Sequence, residues 1–153
     1  MFLAHTSTSF AKEKTLPNSP KWVHVTLIEG DFETITSFLK SSIEEEGLII
    51  ANQGNVADML SRTKEALEVK QLVYKSAVIY QFCSAKLGAE LFAISPLNIG
   101  ACPLNIFAYE LKTKPGIIHV GFRTPPINQS GPSANIFQEV NQLLTRIVKR
   151  TAE

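Results

Sequence analysis

The apolar residues change period along the chain, and each change marks an element. From Lys21 to Glu29 they alternate, with Val23, Val25 and Leu27 on one face and Trp22, His24, Thr26 and Ile28 on the other. A period of two predicts a strand. Gly30-Asp31 ends it, and Asp31 is a good N-cap. Phe32, Ile35, Phe38, Leu39 and Ile43 then recur at helical spacing, which predicts an amphipathic helix over 32–46 stopped by Gly47. Leu48 to Ala51 reads as a short strand, and Asn52 to Asn55 as a turn. Asn55 can cap a helix over 56–67, and Leu72 to Tyr74 is extended.

Ala77 to Phe82 is apolar and aromatic throughout and predicts a buried strand. Ala85 to Ala93 follows as a short helix with Leu87, Leu91 and Phe92 on one face, and Pro96 ends it. Asn105–Leu111 and Ile117–Arg123 are two more strands. Lys112 to Gly116 is a hairpin loop between them, with Pro115-Gly116 as its turn signal. A loop rich in proline and glycine, 124–132, leads to a last helix over 134–149. Ser133 is its expected cap, and its apolar stripe is Phe137, Val140, Leu144 and Ile147. Strands cluster in pairs rather than strictly alternating with helices. This predicts an α+β two-layer domain: a largely antiparallel sheet with helices packed on one face.

The domain runs from 21 to 153, preceded by a flexible tail over 1–20 with two prolines and no periodic apolar face. The start of the tail has two readings. Met1-Phe2-Leu3-Ala4 with Ser9-Phe10-Ala11 resembles the back end of a secretory signal, which implies a periplasmic or secreted protein. Otherwise it is a plain N-terminus and the compartment is cytoplasmic. The length of 153 residues suits one domain. Fifteen basic against 14 acidic residues supply no bulk attraction to nucleic acid. No apolar run approaches the ~20 residues that span a bilayer. Neither nucleic acid nor membrane is an expected partner.

One stretch resembles a known family. Tyr80-Gln81-Phe82-Cys83, Leu87 to Phe92, Pro96, Ala101-Cys102-Pro103 and Ile106-Phe107-Ala108-Tyr109-Glu110 are similar, in order and spacing, to the signature of domain-of-unknown-function family 302. The helix closing on Gly47 fits the same pattern, so the resemblance covers about residues 22–124. It departs at Cys102-Pro103, where the family commonly reads Pro-Cys, and at Ser84-Ala85, where it commonly reads Asn-Pro. The resemblance implies a TATA-binding-protein-like α+β fold and a homodimer. It implies no activity.

The chemistry the residues offer is limited. Cys83 and Cys102 are the only cysteines, 19 residues apart, and match no CxxC redox, zinc or haem-attachment spacing. If their strands are antiparallel neighbours, the two thiols meet at one end of the sheet. Three readings stay open: packing residues, a disulfide or reversible dithiol, or a thiolate site for metal or haem. His24 and His119 read as exposed strand histidines, and His5 falls in the tail. Arg62 and Arg123 can hold a carboxylate or phosphate through bidentate hydrogen bonds. Tyr80 and Tyr109, with neighbouring strand aromatics, read as core or as the lining of a slot between sheet and helices for a flat or acyl ligand. Glu44-Glu45-Glu46 reads as a solvated face. No nucleophile motif or phosphate loop appears, so no catalytic residue, metal site or cofactor is expected. The reading is a small binding or accessory domain without established catalysis, acting on an unidentified small ligand or protein partner. The alternatives are a redox-active thiol protein using Cys83 and Cys102, or a haem- or metal-associated exported accessory protein.

Overall fold

The computed structural model of the protein describes residues 14–16 and 18–153. Its elements are β1 (Lys14–Thr15), β2 (Val23–Glu29), α1 (Phe32–Glu45), β3 (Ile50–Asn55), α2 (Val56–Thr63), β4 (Tyr74–Phe82) and α3 (Ala85–Ile94). A 3-10 turn (Pro96–Ala101), β5 (Leu104–Leu111), β6 (Lys114–Arg123) and α4 (Ala134–Ala152) complete it. The strands form one sheet in the order β1-β2-β6-β5-β4-β3, and every neighbouring pair is antiparallel. The expected α+β architecture is what the chain adopts.

Strand alternation divides the sheet into two faces. Phe82, Ile106, Val120, Phe122 and Ile28 point to one side, where they share a core with Leu39 and Ile43 of α1 and Leu144 and Ile147 of α4. Both long helices therefore bury their single stripes on the same side, as expected for amphipathic helices that have one sheet to cover. Asp31 caps α1, its carboxylate accepting from the Thr34 N–H at 2.9 Å. Gly47 follows the end of α1 at φ +74, a conformation glycine adopts without strain.

The run Glu44-Glu45-Glu46 is not a simple solvated face. Arg146 and Arg150 of α4 reach Glu46 at 3.2 and 3.0 Å, and Arg150 reaches Glu45 at 3.5 Å. These pairs clamp the C-terminal end of α1 to α4. They also offset the unfavourable placement of carboxylates at the negative end of a helix.

Four local expectations change. The Asn52–Asn55 segment is strand, not turn, because an edge strand needs only backbone partners on β4 and no apolar pattern. The second helix stops at Thr63 rather than Leu67, and Leu67 is exposed, so nothing packs against a further turn. The hairpin reverses at Lys112-Thr113, and Pro115-Gly116 lies inside β6 beside a register shift. Buried Glu110 holds that irregularity, accepting from the Gly116 N–H at 2.8 Å and from Lys75 Nζ at 3.1 Å. Ser133 precedes α4 without capping it through its side chain.

The segment expected as a tail lies outside the described residues over 1–13 and at 17, and this includes the signal-like Met1–Ala11. Lys14–Thr15 pairs with β2 at the sheet edge. No helix among the described residues is long and apolar enough to cross a membrane.

Candidate functional site

The β4–β5 ladder runs in register from Ala77↔Tyr109 to Phe82↔Leu104. One residue beyond that last pair stand Cys83 on one strand and Pro103 on the other, with Cys102 next in the chain. Antiparallel pairing thus brings the two cysteines to one end of the sheet. Both are free; Cys83 is exposed and Cys102 half-buried. The Cys102 thiol is pushed up to about 11, first by burial and then by the adjacent Cys83 thiol. Each cysteine sits at a junction. Cys83 lies between β4 and Ser84, whose hydroxyl caps α3 at Leu87. Cys102 closes the 3-10 turn, its N–H donating to Ile99 O at 3.0 Å, and its peptide bond to Pro103 is cis.

Beside Cys102 opens a cavity of about 260 Å³. Its floor is apolar: Leu87 and Leu91 of α3, Leu104 of β5, and Phe137 and Val140 of α4. Its rim is polar: Asn105, Arg123, Thr124 and Gln129. No aspartate or glutamate lines it. Arg123, the last residue of β6, donates to Pro103 O at 3.4 Å and has no ion pair among the described residues. The 3-10 turn forms one wall and is tied down by Asn98, whose amide donates to Leu91 O at 2.8 Å and to Ser133 Oγ at 3.0 Å. Leu97, on the same turn, lines the cavity while being 87% exposed.

The remaining sequence candidates lie elsewhere. Tyr80 is buried on the helix side of the sheet, below Thr36 of α1, and burial raises its pKa. Tyr109 is on the opposite face, where it stacks on His119 at 4.4 Å and meets Tyr74 at 5.3 Å; burial raises its pKa as well. Arg62 is exposed on α2, its Nε donating to Asp58 O at 3.4 Å. The two tyrosines expected in one aromatic slot are thus on opposite faces: Tyr80 and Phe32 line a hollow of about 690 Å³ between α1 and the strands β3 and β4. Tyr74, Phe107 and Tyr109 line a second hollow, of about 500 Å³, on the face turned away from α1 and α4, and Asn105 and Arg123 border it as well as the cavity beside Cys102.

The histidines also differ from expectation. His119 is buried, and burial lowers its pKa. His24 is half-buried and stacks on Phe122 at 4.9 Å. By strand register they face opposite sides of the sheet, so the two histidines and two cysteines do not converge. Among the described residues no three His, Cys, Asp or Glu side chains are grouped to hold a metal ion. Sequence reasoning missed Asn98, Gln129 and Leu97. Pro96 and the Pro125-Pro126 loop were the only local signs that these segments are held in fixed turns.

The model of the domain of unknown function DUF302 matches residues 23–151. The chain belongs to the DUF302 family. Its fold is similar to the crystal structure of an uncharacterised conserved DUF302 protein from Bacillus stearothermophilus, at TM-score 0.71 and 15% identity. That likeness covers 86% of this chain and 98% of the other. No curated protein matches the chain. The cavity beside Cys102 is thus a feature of a DUF302 domain for which these likenesses indicate no catalytic or specific function.

Proposed function

We propose that this DUF302 domain binds a small apolar monocarboxylate in the cavity beside Cys102. The observation that carries the reading is Arg123: it borders a cavity with an apolar floor and no acidic residue in the lining, donates to Pro103 O next to Cys102, and has no ion pair among the described residues, although it also borders the hollow on the opposite face. A planar guanidinium matches a carboxylate through two parallel hydrogen bonds. Leu87, Leu91 and Phe137 accept an alkyl or small aryl body. A volume of about 260 Å³ sets the size. At roughly 30 Å³ per water it equals about nine waters, which suits a ligand of about eight to ten non-hydrogen atoms. The lining presents no activated nucleophile or general base, so the reading is a binding or accessory role.

The test is a thermal-shift and calorimetric comparison of hexanoate, hexanol and hexylamine. Hexanoate should raise the melting temperature, since a ligand that binds only the folded state stabilises it by mass action. Hexanol should act weakly and hexylamine not at all. Arg123→Ala should abolish the hexanoate effect, and Arg123→Lys should keep part of it. Equal responses to all three compounds, or a response that survives Arg123→Ala, would refute the reading.

A further inference from the structure

The cysteine pair is not used by carboxylate binding, and it has chemistry of its own. The chain contains two cysteines in 153 residues, and folding brings them from 19 positions apart to the same end of one strand pair. They differ in access: Cys83 is exposed, whereas Cys102 is half-buried in the cavity wall. We propose that Cys83 and Cys102 form a reversible dithiol–disulfide pair that exchanges with low-molecular-weight disulfides. This inference goes beyond the carboxylate reading and stands independently of it.

The step balances as thiol–disulfide exchange. The Cys83 thiolate attacks one sulfur of the small disulfide. The S–S bond of the reagent breaks, a mixed disulfide forms on Cys83, and one small thiolate leaves. Cys102 then gives its proton to a departing thiolate, and its sulfur attacks Cys83 Sγ. The mixed disulfide breaks, the second small thiol leaves, and the Cys83–Cys102 bond remains. The protein loses two electrons and two protons, and the reagent gains both as two thiols. Order follows from access. Cys83 can meet a reagent in solvent, while the Cys102 thiol, pushed up to about 11, stays protonated until the mixed disulfide stands beside it.

The test equilibrates the reduced full chain with hydroxyethyl disulfide, quenches in acid, alkylates with N-ethylmaleimide and reads the intact mass. Wild type should end with no alkylated thiol, no hydroxyethyl adduct and a mass lower by two hydrogens. Cys102→Ser should stop at the mixed disulfide on Cys83. Cys83→Ser should react at least about tenfold more slowly, because its remaining thiol is shielded and protonated. A wild type that retains stable hydroxyethyl adducts, keeps both thiols free while Cys102→Ser reacts, or crosslinks between chains overturns the proposal. Hexanoate binding is measured separately on the reduced protein. Its failure would overturn the carboxylate reading and leave the exchange result intact.

Discussion

Asn98 and Ser133 join two walls of the cavity across 35 residues of chain: the Asn98 amide donates to Ser133 Oγ at 3.0 Å and to Leu91 O at 2.8 Å. One side chain therefore fixes the 3-10 turn against both α3 and the start of α4. Asn98→Ala removes both bonds. It should destabilise by about 1–3 kcal/mol, at roughly 0.5–1.5 kcal/mol net for each of the two hydrogen bonds. A denaturant melt reads this as a lower midpoint. An unchanged midpoint would show that the turn is held by other contacts.

Leu97 separates binding from stability. It lines the cavity yet is 87% exposed, so the fold gains little from it. Leu97→Ser should leave stability within about 0.5 kcal/mol. If the ligand's apolar body rests on it, hexanoate affinity should fall by about threefold to tenfold. Unchanged affinity would move the ligand away from the 3-10 turn.

Phe137 and His24 test the core. Phe137 is buried at the floor of the cavity, and Phe137→Ala should cost about 3–5 kcal/mol. The sequence reads His24 as an exposed strand histidine, but it is half-buried and stacks on Phe122. His24→Ala should cost about 0.5–1.5 kcal/mol, the range for such ring pairs. Urea melts of the two variants compare them directly, and equal losses would contradict this assignment of faces.

Glu110 gives the fold a defined acid sensitivity. The Gly116 N–H is the main cause that lowers its carboxyl pKa, and Lys75 adds to it; burial opposes both. A carboxyl lowered in the folded state adds stability above its unfolded value, about 4.3, and that stability is lost as pH falls through the folded value. Glu110→Gln should therefore be less stable than wild type at neutral pH, with the gap narrowing below about pH 4. Melting temperatures of both proteins across pH 3–7 measure the gap. A constant gap would mean that the carboxylate charge does not contribute.

The sequence made some of this legible and hid the rest for physical reasons. α1 and α4 each carry one apolar stripe, so their sites on the sheet could be read from spacing. β3 could not, because Asn52, Gln53 and Asn55 are held by backbone pairing at the edge of the sheet, which leaves no apolar trace. The alternation in β2 was visible, but not which side the helices cover. Pairing settles it: Thr26 faces Val120 and Ile28 faces Ile118, so the Val23-Val25-Leu27 face turns away from the helices. The meeting of Cys83 and Cys102 was legible only as a condition on antiparallel pairing, which the β4–β5 register meets. Asn98 left no signal, since its partner Ser133 is distant in the chain.

The most direct measurement of the central claim is residue-by-residue amide chemical-shift mapping of the reduced protein during titration with hexanoate. Saturable shifts are expected at Leu87, Leu91, Gly100 to Cys102, Arg123, Thr124 and Gln129, with their loss in Arg123→Ala. Shifts centred instead on Tyr74, Phe107 and Tyr109, on the face turned away from α1 and α4, or no saturable shifts at any residue, would contradict carboxylate binding beside Cys102.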